Sequence, residues 1–242
     1  MITFLDTYDS RKKEIEDFLE LMKFLEKKEN EREDGKTKFS EFFYPENGGI
    51  HLTYQAMINI LKSNVSLMIY NIIEYTVTNL VDSIYDEIRV NHLSYMDVNE
   101  SIRNLWRKTI LKAASDPNAN FSTFLKKNEE IISKILNRNA MNMSAKNTLP
   151  GGNLDGSAIK ETFESHGIQV KTCSRNYRPD ILTEIKENRN NLAHGSVSFV
   201  EAMREDSIDD IEANEIVVVG FLEELIETVS TYIEERRYKC CE

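Results

Sequence analysis

Residues 184 to 195 read Glu-Ile-Lys-Glu-Asn-Arg-Asn-Asn-Leu-Ala-His-Gly, and three of them, Arg189, Asn190 and His194, carry groups that can do chemistry. Pro179 suits the first turn of a helix, and Gly195 stands where a left-handed stop would fall, so the stretch reads as a helix ending near His194. At about 100° per residue, Asn190 and His194 share one face. Arg189 lies about 140° from His194 on a regular helix, but its long side chain can swing toward the same cleft. An imidazole can move a proton at neutral pH, from a ribose 2′-hydroxyl or to a leaving oxygen. A guanidinium can grip a phosphate with a forked pair of hydrogen bonds and stabilise charge that develops there. A carboxamide can orient the imidazole or donate to a phosphate oxygen. This combination suits RNA cleavage without a metal ion. A plainer reading stands beside it, because a single His near a helix end is ordinarily a partner of the helix dipole or a satisfied core residue.

The elements that must position these groups read as helices. Of 242 residues, 40% are hydrophobic, with only 9 Gly and 4 Pro, so a packed core is affordable and breakers are few. Ile15, Phe18, Met22 and Leu25 recur at helical spacing, and that first helix is expected to end near Asp34-Gly35. A loop follows through Pro45 and Gly48-Gly49. Leu52 to about Val90 reads as one long helix, apolar on several faces, as in a bundle interior or a subunit interface. Ser101 to Ala114 reads as a third helix, broken by Asp116-Pro117-Asn118, and Phe121 to about Arg138 as a fourth. Residues 139 to 156 read as a loop, Ser157 as the cap of a short helix to Ser165, and Gly167 to Val170 as a turn with an extended stretch. Ser207 opens the last helix, ending near Arg237. The expectation is an all-α bundle with no sizeable sheet, a single domain over 1–242, with residues 1–50 appended to its core.

Charge and cysteine content narrow the function classes. A net charge of −11 argues against coating nucleic acid by bulk charge, though a locally basic cleft remains compatible with it. Cys173, Cys240 and Cys241 make no even-numbered disulfide framework, which points to a reducing compartment and, with no secretory signal at the N-terminus, to the cytoplasm. The most apolar stretch, near residues 57 to 73, contains Asn59, Lys62, Asn64, Ser66 and Asn71 and reads as a buried helix, not a membrane span.

The string Arg189-Asn190-Asn191-Leu192-Ala193-His194 resembles the motif of the HEPN superfamily, an Arg followed four to six residues later by His, often with a polar residue after the Arg. Three further blocks resemble one subgroup, the MAE-named HEPN-like nucleases of bacterial defence and toxin loci. They are Leu61-Lys-Ser-Asn-Val-Ser-Leu-Met-Ile-Tyr70-Asn71-Ile-Ile-Glu74, the Gly152-Asn153-Leu154-Asp155 turn, and Ser196-Val-Ser-Phe199. The resemblance covers about residues 50 to 236 in the same order. It implies a helical bundle, a homodimer with the motif at its interface, and metal-independent endoribonuclease activity toward RNA as a toxin or anti-phage effector. No cofactor and no metal are called for, and a cognate antitoxin or defence protein is an expected partner. Glu74, in the apolar run Ile72-Ile73-Glu74-Tyr75, would pair with or orient Arg189 or His194; otherwise it is a solvated position or a structural ion pair. Asn71, one turn earlier, would join the same cluster as a substrate contact.

The remaining candidates have plain alternatives. Arg103, Arg107, Lys108 and Lys112 form a basic stripe that would guide RNA, although such runs are usually solvated faces. His51, His92 and His166 lack metal-ligand spacing. The sequence leaves two other functions open. One is a non-catalytic HEPN-like interaction or nucleotide-binding module. The other is a target whose Tyr, two residues after the His, is modified by a nucleotidyltransferase; here that position is Ser196.

Overall fold

Strong helix formers and scarce breakers give a chain that is helical through most of its length. The computed structural model describes residues 3–30, 52–112 and 121–240. Among the described residues there are eight helices and no strand: α1 (Leu5–Asn30), α2 (Tyr54–Val90), α3 (Glu100–Lys112), α4 (Phe121–Leu136), α5 (Ala145–Thr148), α6 (Gly156–Ser165), α7 (Pro179–His194) and α8 (Ile208–Glu234). Extended pairing is limited to the isolated bridges Ser94–Ala140 and Val98–Lys239. The all-α expectation holds. The expected first-helix end and the loop through Pro45, like the break at Asp116-Pro117-Asn118, lie outside the described residues.

Local side-chain capping sets the start of four of the eight described helices. The Thr53 hydroxyl accepts from the Ala56 amide at 3.0 Å to start α2, and the Asn99 side chain accepts from Ile102 N at 2.9 Å to start α3. Ser207 and Asp210 form a reciprocal pair at the start of α8, with each side chain accepting from the other's backbone amide. Three expectations are corrected. The cap of α6 is Asp155, which accepts from Ala158 N at 2.9 Å, so Ser157 lies inside the helix; a carboxylate there also complements the helix dipole. The segment 139–156 contains the single turn α5, whose first amide is held by Asp82 at 2.7 Å, a partner 63 residues away. The last helix ends at Glu234.

The chain divides into two compact units. One comprises residues 1–5, 74–174 and 221–242; the other comprises 6–73 and 175–220. In the first, Tyr85, Phe163, Phe221, Leu225 and Val229 are among the buried apolar side chains, and Phe4 meets Tyr75 edge to face at 5.8 Å between ring centroids. A polar network is buried here as well. The fully buried His166 places Nδ1 2.7 Å from the Thr162 carbonyl and Nε2 2.7 Å from the Tyr85 hydroxyl. The Tyr232 hydroxyl donates to the His166 carbonyl, and Asn99 donates to Tyr232.

The second unit packs α1, the opening of α2, α7 and the start of α8 around Ile15, Met22, Val65, Ile69, Tyr70, Ile185 and Val218. Its portion of α2 buries a polar stripe. Asn59 donates to the Val200 carbonyl at 3.1 Å, Lys62 to the Asp206 carbonyl at 2.7 Å, and Ser63 to the Phe199 carbonyl at 2.7 Å. These bonds pin the segment that follows α7 to α2. Burial pushes the Lys62 ammonium below its ordinary value, with the acidic Asp206, Glu26 and Glu205 acting the other way. By length and composition α2 could cross a membrane, yet more than half of its apolar window is buried inside the protein.

Candidate active site

α7 begins with Pro179 at its first position and ends against Gly195, whose φ of 69° lies in the left-handed region that glycine enters without strain. The Gly195 amide bonds the Leu192 carbonyl at 3.2 Å and the Ser196 amide bonds the Asn191 carbonyl at 3.0 Å, a closure typical of helix ends. His194 is therefore the last helical residue, and it is exposed. Ile181, Leu182, Ile185 and Leu192 are the buried side of the helix. Arg189 and Asn190 are half-buried.

The guanidinium of Arg189 is held from two directions. Its Nη1 donates to Asn190 Oδ1 at 2.9 Å, and its Cζ lies 5.0 Å from the centre of the Tyr70 ring, a cation–π distance. Tyr70 is fully buried on α2, so the platform beneath the cation is fixed by the core. Arg189 and Asn71 then line an open depression of about 180 Å³ whose other walls are Leu67, Leu192, Ala193 and Phe199. Phe199 belongs to the segment that Ser63 pins to α2, so one wall is set by a buried hydroxyl. Asn71 also borders a smaller depression lined by Arg11, Glu14, Ile15, Met68 and Ile72.

The structure thus gathers Arg189, Asn190 and Asn71 in one unit, with His194 at the end of the same helix. Asn190 engages Arg189 through its carbonyl oxygen. Glu74 is half-buried on α2 and falls in the other unit, as do Arg103, Arg107 and Lys108 on α3. There, Arg103 donates to the Tyr95 and Met96 carbonyls at 2.9 and 2.8 Å, and Arg107 pairs with Glu100 at 2.6 Å. The two guanidinium carbons lie 5.5 and 6.0 Å from the Tyr95 ring centre. Lys108 is exposed. Sequence reasoning assigned no part to Tyr70 and Phe199, although both stand in the quoted blocks; Tyr70 immediately precedes Asn71, which was the available signal. Arg11 gave none, being one of several charged residues on an amphipathic helix. Among the described residues no group of three or more His, Cys, Asp or Glu is placed to hold a metal ion.

An Arg-x4-His motif closing a helix of an all-α chain places the protein with the HEPN domains. The model of the HEPN_MAE_28990-like HEPN family matches residues 3–238, and the chain belongs to that family. Neither the curated proteins nor the solved structures contain a match to it.

Proposed function

We propose that this protein is a metal-independent endoribonuclease, a toxin or anti-phage effector of the cytoplasm, whose active unit is a two-fold homodimer with Arg189 and His194 of both copies along one cleft. The observation that carries this reading is the preorganised Arg189: stacked on Tyr70, bonded to Asn190, and lining an open depression with Asn71. A cation fixed before substrate arrives stabilises charge without reorganising during the reaction. Arg189 would hold the scissile phosphate in the forked geometry that suits a phosphoryl group.

The chemistry balances with two imidazoles. One His194 accepts the proton of the ribose 2′-hydroxyl as its oxygen bonds to phosphorus. The bond from phosphorus to the 5′-oxygen breaks, and the partner copy's imidazolium protonates that oxygen. The products are a 2′,3′-cyclic phosphate and a 5′-hydroxyl. One chain supplies one such His, and a symmetric interface supplies the second. The apolar walls around Arg189 give two acidic chains a surface on which to meet, and a bound phosphate between the two guanidinium groups offsets their repulsion. A cognate antitoxin or defence protein would restrain the activity.

The test is incubation of the purified chain with total RNA in chelator, beside His194→Ala and Arg189→Ala. Cleavage by the parent alone, leaving cyclic phosphate ends and sparing DNA, is the expected outcome, because DNA lacks the attacking hydroxyl. Activity that disappears in chelator and returns with magnesium overturns the mechanism. A monomer with full activity, sized by light scattering at the assay concentration, overturns the shared cleft.

A further inference from the structure

Helix α4 packs beside α3 in the first unit, yet none of its residues is buried. Phe121, Leu125, Ile132 and Leu136 stand 74, 46, 56 and 77% exposed, and Phe124 flanks them at 45%. The intervals of four, seven and four residues keep the first four side chains in a single stripe along the helix. Together they leave on the order of 500 Å² of apolar surface in water, near the upper end of the largest patch a monomeric protein usually carries.

We propose that this stripe pairs with the same stripe of a second copy of the chain. Three observations select that occupant. Two such faces bury roughly 1,000 Å² in all, the size at which a specific protein interface becomes credible. Phe121, Leu125, Asn128 and Ile132 follow the alternating four- and three-residue steps of two helices that pack side by side, with the polar Asn128 near mid-stripe to set the register and Leu136 one residue past the next seam position. Charge also permits it. α4 carries Lys126, Lys127 and Lys134 against Glu129 and Glu130, a net of +1 in a chain of −11. Glu130 ties up Lys127 and Lys134 at 2.8 and 2.7 Å. Two acidic chains can therefore approach here without the repulsion their total charge imposes elsewhere. The Arg189 cleft belongs to the other unit, so the two surfaces share no residue and this is a second interface.

The experiment measures mass by light scattering across a concentration series, for the full chain and for Ile132→Glu and Leu136→Glu. Both positions are solvent-exposed, so each variant should keep the parent's far-ultraviolet circular dichroism while its mass halves at matched concentration. Separately, Asn128→Cys in a chain whose three cysteines are serine should form a covalent dimer on mild oxidation, because a mid-stripe residue meets its own counterpart in a parallel or an antiparallel pair. A parent mass unchanged by either charge, together with no cross-link at position 128, overturns the proposal. So do vesicles of anionic phospholipid that capture the parent and release Ile132→Glu while the masses of the two stay equal, since the stripe then serves a membrane surface.

Discussion

Lowering the pH from 6.5 should destabilise the protein through His166 well before its carboxylates protonate. The ring is fully buried, and its Nδ1 faces the Thr162 carbonyl, which can only accept, so Nδ1 carries the proton. Nε2 must then accept from the Tyr85 hydroxyl at 2.7 Å. The ring is thus held as the neutral tautomer, and burial pushes its pKa from 6.5 down to about 4, against the smaller opposing effect of the Thr162 carbonyl. The folded pKa lies below the unfolded one, so the unfolded chain takes up the proton first. The stability this group contributes is complete above pH 6.5 and is lost as the pH falls toward 4. A depression of that size corresponds to about 3 kcal/mol in all, or roughly 1.4 kcal/mol per pH unit inside the window. Urea denaturation at half-unit steps between pH 7 and 5, followed by circular dichroism, reads the slope. His166→Gln, which cannot titrate, should be less stable at pH 7 and should lack this slope, so the two curves converge as the pH falls. Equal slopes for parent and variant, or an imidazole resonance for His166 that titrates near 6.5, would refute the reasoning.

Lys62→Met should cost about 1–3 kcal/mol in urea denaturation, because it removes the donor to the Asp206 carbonyl and leaves a polar group without its bond. Gly195→Ala and Gly220→Ala should both destabilise, for different reasons. At Gly195 a Cβ meets open space but the backbone has φ of +69°, which costs about 1–2 kcal/mol for an L residue; at Gly220 a Cβ would stand 2.8 Å from Asn176 Nδ2, so Asn176 must move, at about 1–3 kcal/mol. Thermal melts separate the two if Asn176→Ala rescues Gly220→Ala and leaves Gly195→Ala as it was. Tyr70→Leu should slow the proposed RNA cleavage about 3- to 30-fold while Tyr70→Phe stays near the parent, because the ring face and not the hydroxyl carries a cation–π contact worth about 0.5–2 kcal/mol. Equal rates for Leu and Phe would detach Arg189 from that platform.

Most of what is settled within a few residues could be read from the chain itself. Periodicity made the helices, and Pro179 and Gly195 set the limits of α7 so that His194 became its last residue. These are local rules, acting through one turn of backbone, and composition leaves them legible. They failed where two local candidates competed: Asp155 took the cap that Ser157 could also have supplied, and the single turn α5 depends on Asp82, far away in sequence. The tertiary structure decided the rest. Asn59 and Lys62 looked like polarity diluting an apolar helix, and they, with the unremarked Ser63, make buried bonds to carbonyls 136 to 144 residues further on. Tyr70 had no part assigned to it, and it is core on one side and the seat of Arg189 on the other. His166 showed only a lack of metal-ligand spacing, and it is a neutral imidazole locked between two partners. A side chain's type fixes which bonds it can make, but burial and the identity of a distant partner fix which it does make, and neither is written in the spacing of neighbours along the chain.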